Sequence, residues 1–327
     1  MILKSSVAAV TSALMLTASA ALAQSLATCS DGWASWAHDI APDASSGGLQ
    51  ADSCWQGGMH DANDGAGAIN VYNLVVFETL TSNSEVEGSA FVGGDLIGSS
   101  ANFCIKCGAD SVFKALENVG LTVVGNITGN PKNINNRTDL VYGGRLEAMV
   151  NLNGGGQRQS NELSSELTQL RRFYETVSQR LARLEANSTV EIPSQQPGAV
   201  RFNASGERVA VFEIEASQLF SQRTQQIELN LNGSETVVIN VSGRSATWTQ
   251  GNMVGGLVED RIQQKVVWNF YEAEELRFNN GFHGSLLAPK AALTNQTEIE
   301  GSVVVRHFDQ QGEVHLPVFG GRFTDLF

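Results

Sequence analysis

Short apolar runs that end at glycine recur along this chain, and they restrict its fold more than any other feature. Ala90-Phe91-Val92-Gly93-Gly94-Asp95-Leu96-Ile97, Leu121-Thr122-Val123-Val124-Gly125-Asn126-Ile127 and Leu140-Val141-Tyr142-Gly143-Gly144-Arg145-Leu146 share one plan. A few apolar residues lead to Gly-Gly or Gly-Asn, and another apolar residue follows. Phe282–Leu287 and Gly301–Val305 continue the theme near the C-terminus. A strand of about three to five residues cannot bury a face by itself. Stacked rung upon rung, such strands share a continuous core, with glycine and asparagine taking the positive-φ corners. The expectation is a mainly β chain built as a β-solenoid. A β-sandwich with glycine-rich hairpins is the alternative, since it makes similar strands.

Other segments fit around this plan. Asn70–Phe77 is a β-branched and aromatic run between turn residues, hence a strand. After Pro193 and Pro197, Val209–Ile214, Gln226–Leu231 and Glu235–Val241 read as strands, and Asn232-Gly233 predicts a hairpin between the last two. Glu87-Gly88-Ser89 and Glu300-Gly301-Ser302 repeat one tripeptide in two distant places, which suggests one kind of corner used twice.

One stretch has a different period. Leu163, Leu167, Leu170, Tyr174, Val177, Leu181 and Leu184 are spaced by alternating fours and threes, which aligns them in a single stripe. This predicts an amphipathic helix over about 160–186, with Ser160 as N-cap and Asn187 as the stop. An intramolecular helix packed along the sheets is expected rather than a coiled-coil dimer.

The N-terminus predicts export. Lys4, the uncharged run Val7–Leu16 and the small-x-small site Ala21-Leu22-Ala23 have the layout of a signal peptide over 1–23. The apolar run is too short to span a bilayer, which takes roughly 20 residues, and no later segment has the length for it. Residues 24–67 read as an irregular N-terminal segment. Cys29, Cys54, Cys104 and Cys107 are the four cysteines. In an oxidising compartment they imply two disulfides, with Cys29–Cys54 and Cys104–Cys107 preferred over the other pairings. With 34 acidic residues against 21 Lys plus Arg, the formal charge is −13. Nucleic acid is therefore a poor partner, because clustered cations are needed to displace phosphate counterions.

Several of these segments, taken in order, resemble the choice-of-anchor A domain family. They are Tyr72–Phe77 with Val86–Leu96, the helix, Val237–Gly243, Val267–Phe270, Phe282–Pro289, Ile299–Val303 and Pro317–Gly321. The resemblance covers roughly 68–322. It implies a bacterial surface or secreted protein whose β-solenoid carries one long helix, and which adheres to collagen-like matrix, polysaccharide or another cell surface. The C-terminal tail 323–327 departs from the family pattern, showing no sorting motif, apolar tail or basic cluster. Free secretion, periplasmic residence or non-covalent attachment is expected instead.

No catalytic, cofactor or metal constellation stands out, so an enzyme is not expected. His38 and His60 lie in the irregular segment without a second ligand pattern. His307, His315, Asp309 and Glu313 can be drawn as a metal cluster, but their spacing fits no helical zinc motif. His283 precedes Gly284-Ser285, which is not a nucleophile elbow. Glu87, Asp95, Glu300 and Glu313 are carboxylates near turns, and Trp268-Asn269-Phe270 reads as core packing. Two alternatives to adhesion are an ice-binding protein, although sustained Thr-x-Thr ranks are missing, and a secreted polysaccharide-active enzyme working with a carboxylate pair.

Overall fold

The computed structural model describes residues 71–108 and 118–321. The predicted signal peptide, the segment 24–67 with Cys29, Cys54, His38 and His60, and the tail 323–327 lie outside the described residues.

The chain is mainly β, its strands forming 14-, 7- and 4-stranded sheets among the described residues. Strands neighbour one another in parallel throughout the two larger sheets. The exception is in the small sheet, where Thr189–Glu191 runs antiparallel to Gly198–Asn203. A sandwich of hairpins would give antiparallel pairs, so that alternative is set aside.

The order of strands differs from their order in sequence. The path of the long sheet begins at one end with Gln157–Gln159, Asp139–Tyr142, Val119–Val123, Ala90–Val92 and Leu74–Val76. It continues through Val303–Gln310, Ser285–Asn295, Val266–Asn269, Thr236–Ser242 and Val209–Glu215. The chain thus enters in the middle and builds to one end. The helix carries it back, and it then climbs from the other end until Val303–Val305 pairs with Leu74–Val76. The seven-stranded sheet repeats this order: Val150–Asn151, Lys132–Ile134, Ala101–Phe103, Glu85–Val86, Val314–His315, Ile299–Glu300 and Phe282–His283.

The glycine corners stack in register. Leu96, Ile127 and Leu146, each following a corner, bridge one to the next. A Cβ on Gly125 would lie 2.5 Å from Gly94 O, and one on Gly144 would lie 2.4 Å from Gly125 O. Backbone approaches backbone too closely for any side chain, so the repeat in the sequence follows from the stacking itself. Asp95 Oδ1 accepts from Asn126 N at 2.7 Å, and Asn126 Oδ1 accepts from Arg145 N at 2.9 Å, continuing the contact outward.

Asn232-Gly233 does not make a hairpin. Both residues have positive φ, at 48° and 96°, as the turn signal requires. The strands they join enter different sheets, Thr224–Asn230 pairing in the small one and Thr236–Ser242 in the long one. Turn chemistry fixes the local reversal, but each strand finds its partner one row away.

The helix spans Leu163–Leu181, shorter than the 160–186 expected. Glu162, not Ser160, is its N-cap, while Ser160 Oγ accepts from Glu162 N at 3.3 Å. At its end Asn240 Nδ2 donates to Leu181 O at 2.7 Å, satisfying a terminal carbonyl from the sheet. Asn187 seals a sheet edge instead, its Oδ1 accepting from Val211 N at 2.8 Å and its Nδ2 donating to Val209 O at 2.9 Å. Its 19 residues make a rod about 28 Å long, roughly six strand spacings of ~4.8 Å.

That rod lies along the outer face of the long sheet. Ser178 Oγ donates to Asn269 Oδ1 at 2.6 Å, Arg171 Nη2 donates to Phe77 O at 3.1 Å, and the Tyr174 ring lies 6.1 Å from Phe77. Leu170, Tyr174 and Leu181 are fully buried, as are the outward-alternating Val75, Phe91, Val304, Leu287, Val267 and Val238. Between the sheets lies the interior core, where Trp268 and Phe270 pack among aromatic rings, as their run in the sequence suggested.

Candidate functional site

The outer face of the seven-stranded sheet offers a different surface. Its short strands turn apolar side chains inward: Val86, Ala101, Phe103, Ile134, Ile299, Val314 and Phe282 are fully buried, and Val150 on the end strand is partly buried. The residues on either side of these alternate outward. Parallel register therefore sorts the outward side chains into two columns that cross the rows.

The first column contains Glu85, Asn102, Asn133 and Asn151, paired in register. Asn102 Nδ2 donates to Glu85 Oε1 at 3.0 Å, and Asn151 Nδ2 donates to Asn133 Oδ1 at 2.7 Å. A further amide pair lies two residues along, where Asn153 Nδ2 donates to Asn135 Oδ1 at 3.1 Å. Asn135 Nδ2 in turn donates to Phe103 O at 3.1 Å.

The second column joins residues from both ends of the described chain. His283, Glu300 and His315 are in register on adjacent strands, and Val314 pairs with Val86, which brings His315 beside Glu87. His283 Nδ1 and Gln263 Nε2 both meet Glu300 Oε2. The hydrogen bond from His283, foremost, holds the Glu300 carboxyl below its usual range against the opposing effect of burial. His315 Nε2 lies 2.5 Å from Glu313 Oε2 and 3.8 Å from Glu87 Oε1. Glu87, almost buried, also takes Lys106 Nζ at 2.5 Å and Leu316 N at 3.0 Å. Its hydrogen bond raises the Lys106 ammonium above its usual value.

Lys106 is placed by a tight loop. Cys104 and Cys107 are joined by a disulfide, the half of the preferred pairing that falls within the described residues. The loop rests on the corner, with Lys106 N donating to Glu87 O at 2.8 Å and Cys104 N to Gly88 O at 3.2 Å.

The two Glu-Gly-Ser tripeptides occupy equivalent corners, each leading from the short sheet to the long one. Asn73 joins them through the row between. Its Nδ2 donates to Gly301 O at 3.0 Å and His315 O at 2.9 Å, while its Oδ1 accepts from Gly88 N at 2.9 Å. It ties the beginning of the described chain to its end.

Of the carboxylates picked out from sequence, Glu87 and Glu300 stand in this column, Glu313 reaches it from beside Glu85 through His315, and Asp95 belongs to the glycine-corner stack. His307 and Asp309 lie on Val303–Gln310 in the long sheet, apart from His315. Among the described residues no group of three or more His, Cys, Asp or Glu side chains is placed to hold a metal ion. No helix among them is long and apolar enough to cross a membrane. Sequence reasoning missed Gln263, Lys106 and the amide column. The amides had a signal: Asn102, Asn133 and Asn151 each stand between two residues of a short apolar or inward-turned run.

Comparison with known proteins gives one family. The family described as "Putative Ice-binding-like adhesive domain" matches residues 65–316. No curated protein and no solved structure matches the chain.

Proposed function

Because that match spans most of its length, the chain belongs to this ice-binding-like adhesive domain family, and on that premise we propose that it is an exported, non-catalytic surface-binding protein. Its successive parallel rows form one β-solenoid, and the outer face of the seven-stranded sheet is the surface that docks. The observation carrying this reading is the contrast between faces. The helix occupies the outer face of the long sheet, whereas the short sheet turns out polar side chains already aligned by register and hydrogen bonds. Prior ordering lowers the entropy cost of binding an extended surface.

The partner is extracellular matrix, polysaccharide or another cell surface, and the protein is secreted or held at the cell surface. The signal-peptide pattern over 1–23 supports export. The ordered motifs from Tyr72–Phe77 to Pro317–Gly321 support choice-of-anchor A as the finer placement of the chain. Retention of the mature protein on immobilised collagen, insoluble polysaccharide and whole cells tests the reading. No retention on any of the three overturns it, and turnover of a glycan substrate overturns its non-catalytic part.

A second reading, binding to ice, is favoured by the family's description and by evenly repeated rows spaced about 4.8 Å apart. The outward columns here are amides, carboxylates and imidazoles rather than threonines. Thermal hysteresis of the mature protein decides between the two.

A further inference from the structure

The docking face divides chemically at its middle strands. On one side, Glu85, Glu87, Glu300 and Glu313 alternate with His283 and His315. On the other, Asn102, Asn133, Asn151, Asn135 and Asn153 form an uncharged amide field. Building on the surface-binding reading, we infer that this amide field is the contact subsite for an uncharged, hydroxyl-rich polysaccharide.

The valences of the amides carry the inference. A side-chain amide has two N–H donors and a carbonyl with two lone pairs. The bond from Asn151 to Asn133 uses one donor of the first and one lone pair of the second. Asn133 Nδ2 has no protein partner among the described residues, although the side chain is only half-buried in a fixed row. Along the neighbouring column Asn153 Nδ2 donates to Ile134 O at 3.2 Å and to Asn135 Oδ1, while Asn153 Oδ1 has no protein partner among the described residues. Bonds along the columns hold the side chains in place on a half-buried to exposed face, and the donors and acceptors they do not use are left for a ligand. A sugar hydroxyl, both donor and acceptor, complements such a group.

Charge selects among polysaccharides. The amide field asks no ion to be desolvated, which would cost far more than covering a neutral group. The adjoining carboxylates and the chain's formal charge of −13 repel a polyanion. Rows about 4.8 Å apart and alternate residues roughly 6.6 Å apart along each strand make a grid. An extended polymer can lie across it and repeat its contacts.

The test is retention of the full mature chain on microcrystalline cellulose and cross-linked dextran as uncharged probes, with alginate gel as the polyanion. The wild type should bind an uncharged matrix and not alginate, and raising the salt should change retention less than twofold. Asn102→Ala/Asn133→Ala/Asn151→Ala should lose at least about tenfold in affinity, while Glu162→Gln, at the exposed N-cap of the helix and away from this sheet, should stay within twofold. Should the triple variant fold poorly, Asn133→Asp alone adds a charge without removing bulk, and it should weaken binding several-fold. Wild-type retention by the amide variants, or preference for alginate, overturns the assignment. Binding to collagen or cells with none to either uncharged matrix overturns it too, yet leaves the surface-binding reading in place. Binding to no solid at all overturns both.

Discussion

Two outer faces of this molecule follow one alternation rule and end differently. On the long sheet, the residues that alternate outward are Val75, Phe91, Val304, Leu287, Val267 and Val238, and all of them are fully buried on the face that carries the helix. On the seven-stranded sheet, the equivalent places hold amides, carboxylates and imidazoles, and the register leaves all of them but the buried Glu87 half-exposed or exposed. A strand buried on both faces reads as a continuous apolar run, whereas one buried on a single face alternates. The first face is sealed, and the second keeps its polar side chains within reach of solvent. The contrast predicts that substitutions of similar size have very different effects on the two faces.

The largest difference should come from Val304→Asp. The side chain is fully buried on the outer face of the long sheet, so the variant places a carboxylate where no partner waits. A loss above about 4 kcal/mol, enough to prevent folding, is expected. Urea unfolding followed by circular dichroism checks it, and a near-native midpoint breaks the idea of a sealed face. Leu170→Ala on the helix should lose about 2–4 kcal/mol, since it empties a fully buried site. Gly125→Ala comes next, at about 1–3 kcal/mol, because its new methyl would press on Gly94 O and Asp95 Oδ1, each 2.5 Å away.

These elements were not equally legible in the sequence. The glycine corners and the helix stripe were readable because their causes are local. Close backbone approach demands glycine at 94, 125 and 144, and burial of one helix side demands the spacing of Leu163, Leu170, Tyr174, Val177 and Leu181. The order of rows was not readable. Parallel strands of similar composition can neighbour in many sequences, and nothing local says that Leu74–Val76 belongs between Ala90–Val92 and Val303–Gln310. The candidate face depends on that order. Glu87 and His315 are far apart in sequence, and they meet because the first and last strands of the described residues neighbour one another in the middle of the stack. The Asn232-Gly233 signal misled for the same reason, because a turn signal reports a local reversal and not which strand will pair.

Two carboxyls, one on each face, give the smallest and most discriminating prediction. Glu300, on the open face, is held below the ordinary value of 4.5, first by the hydrogen bond from His283. A depressed carboxyl contributes stability above the ordinary value and loses it as pH falls through its folded value. Glu166, on the helix beside Tyr72, is raised above 4.5, chiefly by burial. The folded protein then binds that proton more tightly than the unfolded chain, so stability is greatest in acid and falls as pH rises through the raised value. Glu300→Gln should therefore lower stability at neutral pH, by about 1 kcal/mol or less, and converge with the parent in acid. Glu166→Gln should raise stability at neutral pH by a similar amount, because the amide carries no charge to desolvate, and this gain should shrink as pH falls. Urea midpoints measured from acid to neutral pH would show the two variants departing from the parent in opposite directions. If both move the same way, the two carboxyls share one kind of environment, and the division into a covered face and an open one loses its electrostatic support.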